Sequence, residues 1–136
     1  MLLQNNTNLT LLGFDYGPKK IGVSIGNTIS GTASPLKILH GRSKIEGFNA
    51  VKNEILHWDP GLVVVGFPSH RDGSLHPFAN NCKKFARKIS TVTGKKVRLV
   101  DESYTSVLSK GRGHDDARAA ALILQVVLDE LFSANK

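Results

Sequence analysis

The sequence predicts an α/β fold over residues 1–136, read as one domain, with a mixed β-sheet in the element order βββαβαβα and helices packed on it. Three observations lead to this prediction. Short strands with turn signals occupy the first part of the chain, a continuously apolar run lies in the middle, and segments of helical periodicity separate the later strands. The first three strands should form a meander, and the later strands should add through helical crossovers.

The three N-terminal strands are predicted from alternation and turn signals. They cover about residues 10–16, 20–26 and 31–36. The pair Gly17-Pro18 marks the first turn, and Ile21, Val23 and Ile25 alternate with small residues along the second strand. These spacings are typical of antiparallel neighbours joined by short loops.

Helices and strands alternate in the rest of the chain. They are predicted at about residues 44–57 (helix), 62–68 (strand), 75–91 (helix), 97–100 (strand) and 115–132 (helix). The run LVVVGFP is apolar and β-branched, which favours a central strand covered on both faces. Asp59-Pro60-Gly61 should end the first helix. Cys82 lies on the apolar stripe of the second helix, so we expect it to be a packing residue.

The chain is basic, with a formal net charge of +7 and a pI of about 9.8. A positive balance favours polyanionic partners through the release of counterions. Several basic residues fall in predicted loops beside the acidic motifs, where they are candidates for binding nucleic acid. These candidates are Lys19, Lys20, Arg71, Lys110 and Arg112. The basic residues between positions 83 and 88 are instead expected to form the solvated face of a helix.

Other features of the composition narrow the class of protein. A single cysteine allows no internal disulfide, which favours a reducing compartment, and we expect a cytoplasmic protein without a membrane segment. The histidines lack the spacing of a zinc site, and the chain has neither a GxSxG serine motif nor a P-loop.

Acidic residues occur at three places where secondary-structure elements begin or end. Asp15 lies at the end of the first strand, Asp101 and Glu102 follow the last strand, and Asp115 and Asp116 open the last helix. Carboxylates from distant elements can together hold hard divalent cations such as Mg²⁺ or Mn²⁺. Two such ions can activate a water and stabilise the leaving oxygen of a phosphodiester.

The helical periodicity separates the two aspartates of the last helix. Asp116 shares a stripe with Ala120, Ile123 and Val127, so it should face the sheet, whereas Asp115 is better suited to cap the helix. The choice between Asp101 and Glu102 stays open, because a shift of one residue at a strand end reverses which side chain faces the site.

Four segments of the sequence resemble, in order, motifs of the YqgF/RuvX family. They are GFDYGPKKIGVSIG, LVVVGFPSHRDGS, VDESYTS and DDARAAALILQVVLDE, and they span about residues 10–130. The resemblance implies a ribonuclease-H-like fold similar to that of Holliday-junction resolvases. It also implies a divalent-metal endonuclease that hydrolyses phosphodiester bonds in 5′-end processing of pre-16S ribosomal RNA. Matched residue by residue, Asp15, either Asp101 or Glu102, and Asp116 take the positions of the family's acids.

The chain departs from the family pattern at two places, which keeps two other functions open. Ser103 stands where the family has an arginine, and the segment between Ser106 and Asp116 is shorter than is common in the family. A DNA resolvase of the Holliday-junction type would bind branched DNA and would require a homodimer. A non-catalytic RNA-binding protein of ribosome assembly would bind without cutting. The sequence leaves open whether the chain is a monomer or a homodimer.

Overall fold

The computed structural model describes residues 8–68, 77–102 and 117–134. The predicted order βββαβαβα is confirmed in these residues. The elements are β1 Thr10–Tyr16, β2 Lys20–Asn27, β3 Thr32–His40, α1 Lys44–Trp58, β4 Leu62–Phe67, α2 Ala79–Thr93, β5 Val97–Asp101 and α3 Arg118–Ala134.

The five strands form a mixed sheet in the order β3-β2-β1-β4-β5. β1, β2 and β3 are antiparallel neighbours, as the predicted meander requires, whereas β4 pairs parallel with β1 and β5 pairs parallel with β4. β1 lies between β2 and β4, and both neighbours pair with it at Asp15. Asp15 lies opposite Gly22 of β2 and opposite Gly66 of β4.

The helices cover both faces of the sheet with apolar side chains. α1 and α2 pack on one face, where Val51, Cys82 and Ile89 are fully buried, and the prediction that Cys82 is a packing residue is thereby confirmed. α3 packs on the other face, where Ile123 and Leu124 join the side chains of the strands. Each fully buried aliphatic side chain stabilises the fold by roughly 1.5–3 kcal/mol.

Two element boundaries differ from the prediction for identifiable reasons. β3 continues to His40 instead of ending near residue 36, and its pairing with β2 shifts register between Val23 and Ser24. Because β3 is an edge strand, it tolerates Pro35 and an irregular ladder. α2 begins at Ala79 rather than at residue 75, directly after a turn that contains Pro77. The predicted start of the last helix at Asp115 lies outside the described residues.

Local signals fix both ends of α1. The Ser43 hydroxyl accepts a hydrogen bond from the backbone N–H of Glu46, and the Glu46 carboxylate accepts one from the backbone N–H of Arg42. This pair resembles a capping box, with the second bond made to the residue before the N-cap. At the other end, Asp59 adopts a left-handed conformation and its N–H donates to the Ile55 carbonyl, as the predicted stop requires. None of the three described helices combines the length and the apolar character that a membrane crossing demands.

α3 approaches the sheet closely at one point. Ser24 of β2 is fully buried, and its hydroxyl lies 2.7 Å from the carbonyl oxygen of Ala120, to which it donates a hydrogen bond. Gly13 of β1 makes room for this contact. A Cβ on Gly13 would lie 2.5 Å from the Ser24 hydroxyl oxygen and 3.0 Å from both the Ala120 carbonyl oxygen and the Leu124 Cβ.

We predict that Gly13→Ala lowers the free energy of unfolding by about 1–3 kcal/mol, because the added methyl group meets the buried Ser24 hydroxyl, the Ala120 carbonyl and the Leu124 Cβ, none of which is the free end of a flexible side chain. Gly47→Ala is the matched control. A Cβ on Gly47 meets only Ile21 Cδ1, at 3.5 Å, and alanine favours a helix interior. The free energy of unfolding of this variant should therefore rise by roughly 0.5–1 kcal/mol. Urea unfolding of both variants measures the difference. Wild-type stability of Gly13→Ala would contradict the close packing.

Candidate active site

Asp15 lies at the carboxyl end of the central strand and faces α3. Side chains alternate along β1, so that Leu11, Gly13 and Asp15 point toward α3 while Tyr16 points toward α1 and α2. The opposing residues on both neighbouring strands are glycines, Gly22 and Gly66. The carboxylate therefore lies in a gap between two strands that present no side chain beside it.

Glu102, rather than Asp101, lies on the same side of the sheet as Asp15. Val100 packs under α3, and alternation along β5 places the Asp101 side chain toward the opposite face. Glu102 follows the strand, and its Cγ lies 3.0 Å from the point that a Cβ on Gly66 would occupy. The side chains of Glu102 and Asp15 are joined by a hydrogen bond. The structure thus brings together two of the predicted acids.

Electrostatic conditions at this carboxyl pair are unusual. Burial raises the pKa of Glu102 to about 8, and the nearby charge of Asp15, its hydrogen bond and the charge of Asp101 act in the same direction. The result is a carboxyl group that keeps its proton near neutral pH and donates it toward Asp15. Two carboxyl groups in contact cannot both ionise readily unless a cation is added between them.

A cleft of about 410 Å³ opens over the two acids. Lys19 and Lys20, two of the predicted nucleic-acid-binding residues, line it together with Asp15 and Glu102. We call it the carboxylate cleft. Its remaining walls come from the turn between β1 and β2, from β3 and from the residues before α2, among them Pro18, Ile38, Pro68 and Phe78. The predicted residues Arg71, Lys110 and Arg112 lie outside the described residues.

The start of α3 lies beside the carboxylate cleft. A Cβ placed on Gly22 would lie 3.6 Å from the Cα of Ala117 and equally far from the Cβ of Asp15. Asp116, the predicted third acid, directly precedes Ala117 in the sequence and is itself outside the described residues. Within residues 8–68, 77–102 and 117–134, no three acidic, histidine or cysteine side chains come together as a metal site.

The donor chemistry of the site suits a hard cation. Asp15 and Glu102 supply carboxylate oxygens, which Mg²⁺ and Mn²⁺ prefer, and proton sharing between them indicates that negative charge is in excess at this point. A bound divalent ion would displace the shared proton. The residues present therefore fit the predicted metal, with Asp15 and Glu102 as ligands.

An aromatic stack beneath the site was not foreseen from the sequence. Tyr16 stacks on Phe85 with ring centroids 4.0 Å apart and on Phe78 at 5.5 Å, and Phe85 meets Phe48 edge to face. Burial raises the pKa of the Tyr16 hydroxyl. Burial, together with the charges of Glu102 and Asp15, raises the pKa of the Cys82 thiol to about 12, so this thiol stays protonated. The regular spacing of Phe78 and Phe85 along the chain was the only signal in the sequence.

The fold defines the class of protein. The structure is similar to that of the Fowlpox virus resolvase solved with Holliday junction DNA, with a TM-score of 0.58 and 12% sequence identity, and the match covers 90% of this chain and 99% of that one. The RuvC protein of T. thermophilus with a Holliday junction substrate gives the same score at 13% identity, over 92% of this chain and 96% of that one. At such identities the likeness concerns the fold, which is ribonuclease-H-like.

The sequence narrows this class to one family. Residues 9–130 match the family described as RuvX, Holliday junction resolvase, and the chain belongs to that family. A relative in Paraburkholderia xenovorans, named "Putative pre-16S rRNA nuclease", is 40% identical over 139 aligned residues, which cover 96% of this chain and 95% of that protein. The expected resemblance to the YqgF/RuvX family is confirmed.

The raised pKa of Glu102 predicts how stability depends on pH without metal. The pKa of Glu102 is about 8 in the folded protein against an ordinary value of 4.5, so the protonated carboxyl stabilises the folded state. This contribution is fully present below pH 4.5 and is lost as the pH rises through 8. Between these pH values, the free energy of unfolding of metal-free wild type should fall by about 2–4 kcal/mol, and that of Glu102→Gln should not show this fall.

Urea unfolding in EDTA across this pH range measures the effect. Glu130→Gln serves as the control, because Glu130 is an exposed acid paired with Arg98. Parallel pH profiles for wild type and Glu102→Gln would show that the carboxyl is not buried against Asp15.

Proposed function

We propose that this protein is a divalent-metal-dependent endonuclease that hydrolyses phosphodiester bonds in RNA, with 5′-end processing of pre-16S ribosomal RNA as its role in the cytoplasm. The observation that carries the proposal is the contact between Asp15 and Glu102 at the end of the central strand. Two findings support the proposal: the chain belongs to a resolvase family, and a 40% identical relative is named as a pre-16S rRNA nuclease.

The acids take distinct parts in the proposed mechanism. Asp15 and Glu102 hold the cation, Mg²⁺ or Mn²⁺, and Asp116 supplies a third carboxylate from the start of α3. The position of Ala117 near Gly22 supports this part for Asp116, because Asp116 directly precedes Ala117 in the sequence. We assign no metal contact to Asp101, since alternation along β5 directs its side chain away from Asp15.

The basic residues and the glycines would position the substrate. Lys19 and Lys20 line the carboxylate cleft and can pair with the phosphates on either side of the scissile bond. Arg71, Lys110 and Arg112 stay proposed phosphate contacts from segments outside the described residues. When bound, the metal supplies an activated water and stabilises the leaving oxygen. Gly22 lines the carboxylate cleft beside Asp15 and adds no side chain to it.

A nuclease assay with matched variants tests the proposal. Wild type, Asp15→Asn and Asp116→Asn are incubated with precursor 16S RNA and with four-way DNA, in Mg²⁺, Mn²⁺ or EDTA. We expect metal-dependent cleavage of the RNA by wild type. Each variant should lower kcat at least about 100-fold, which corresponds to about 2.7 kcal/mol of transition-state stabilisation.

The control removes an acid from the same helix without touching the site. Asp129 is exposed on α3 and accepts a hydrogen bond from Gln125, so Asp129→Asn should cut at the wild-type rate. Cleavage by Asp15→Asn and Asp116→Asn at the wild-type rate would refute the assignment. Preferential cutting of four-way DNA would make the protein a DNA resolvase, and RNA binding with no cleavage in any metal would make it a non-catalytic assembly protein.

A further inference from the structure

A second cleft lies between α1 and α2, on the other side of Tyr16 from the acids. Its volume is about 220 Å³, and we call it the lysine cleft. Apolar aromatic rings form part of its wall and three lysines surround them. The lining residues are Tyr16, Lys44, Phe48, Asn81, Lys84, Phe85 and Lys88. The sequence predicts a solvated helix face at positions 84 and 88, and both side chains are exposed there. The structure adds that α1 lies across the cleft from them.

The lysine cleft adjoins the carboxylate cleft through a small third pocket. A pocket of about 20 Å³ lies between them and is lined by Lys19 from the carboxylate cleft and by Lys44 from the lysine cleft. Tyr16 lines all three spaces. A single path therefore leads from Asp15 and Glu102, past Lys19 and Lys44, into the gap between the two helices.

Lys44, Lys84 and Lys88 form no ion pair with an acidic side chain among residues 8–68, 77–102 and 117–134. Ion pairs in these residues join Lys37, Lys95 and Arg98 to acids elsewhere on the surface. Lys88 instead places its amino group 4.3 Å from the centre of the Phe48 ring. Among the described residues, neither the lysine cleft nor the connecting pocket has an acidic side chain in its lining. The path can therefore neutralise an anion that enters it.

Helix-end electrostatics does not account for these lysines. Lys44 is the first residue of α1, where a cation meets the positive end of the helix dipole at a cost of about 0.3–1 kcal/mol, and Glu46 in the same turn offsets this cost. The four cations of α2 lie in the interior of the helix, which contains no carboxylate to pair with them.

The shape of the path favours a phosphate backbone over a stacked base. Phe78 and Phe85 are seven residues apart, about two helical turns, so their rings cover opposite faces of Tyr16. Phe48 and Phe85 are more than nine-tenths buried. Among the described residues that line the lysine cleft, no broad ring face is thus left for a base, whereas lysine side chains are exposed there.

We propose that the lysine cleft binds the phosphate backbone of a single nucleic-acid strand that continues from the scissile bond, with Lys44, Lys84 and Lys88 as its contacts. The proposal rests on the proposed nuclease function, since it extends the substrate beyond the carboxylate cleft. The cleft is too small to admit a duplex, so the strand in it is unpaired. RNA cleaved at this site should therefore carry a single-stranded extension on one side of the cut.

Paired substitutions test the proposal. Lys44→Gln with Lys84→Gln removes one charge from each helix inside the cleft. Lys52→Gln with Arg87→Gln removes one charge from each of the same helices at positions that line none of the three spaces. Lys88 is kept, because it also packs on Phe48. Binding of a fluorescent single-stranded RNA is followed by anisotropy in EDTA over a range of salt concentrations.

The Lys44→Gln/Lys84→Gln double variant, which we call the cleft pair, should weaken binding about tenfold near 0.1 M salt. The slope of log K against log salt should become shallower by about 1.4, because two phosphate contacts on a single strand are lost. The control pair should stay within about twofold of wild type. Equal losses from both pairs would overturn the proposal, since the effect would then be one of net charge alone.

Cleavage separates this proposal from the nuclease function. On RNA with a single-stranded extension, the cleft pair should raise KM with little change in kcat, and on RNA trimmed to the cut site it should match wild type. If the wild type binds the extension through the cleft but cuts nothing, the nuclease function fails and the binding site stands. If the wild type cuts both substrates and the cleft pair behaves as wild type does, the proposed binding site in the lysine cleft is refuted and the proposed nuclease function is supported.

Discussion

The structure depends on how closely α3 can approach the first two strands. The Ser24 hydroxyl donates to the carbonyl of Ala120 across the interface, and the absence of a side chain at Gly13 leaves the space for this contact. Because a buried hydroxyl without a partner costs about 1–3 kcal/mol, the hydrogen bond and the glycine are needed together. Further along, Gln125 bonds to the backbone of Gly31 and of Ala33, which prevents α3 from rotating on the sheet.

This fixed position of α3 determines what surrounds Asp15. Gly22 continues the line of small residues on β2, and Ala117 lies above it, so the first residues of α3 arrive beside the carboxylate and not above the hydrophobic core. A larger residue at Gly22 would push the helix from the site and would fill the space that a phosphate needs. The same packing that stabilises the sheet thus leaves the acids beside the carboxylate cleft.

The sequence predicted the elements, and it predicted that Asp15 lies at the end of a strand, because both depend on local patterns. Asp15 is the last residue but one of an unambiguous strand, and two glycines flank it. The choice between Asp101 and Glu102 could not be made in this way, since it depends on where β5 ends and on which face Val100 packs, and these are properties of the sheet. Asp116 stays a prediction.

The lysine cleft shows a different limit of sequence reasoning. The spacing of Lys84 and Lys88 is the spacing of any solvated helical face, and nothing nearby in the chain distinguishes the two cases. Lys44, which is 40 residues away, converts that face into a cleft only because α1 and α2 pack side by side on the sheet. Charge patterns predict a partner class, but the surface on which the charges meet is decided by tertiary packing.

Alternation along β1 joins the two clefts. Asp15 and Tyr16 are consecutive, so their side chains point to opposite faces of the sheet, one toward α3 and the other toward α1 and α2. A ligand that passes over the end of β1 therefore leaves the acids and meets the lysines within one residue of chain. Because β1 is held by neighbours on both sides, the distance between the clefts is fixed by covalent geometry and by the sheet. A strand that occupies the lysine cleft would consequently be held in one register relative to Asp15, which is the condition for cutting at a defined phosphate.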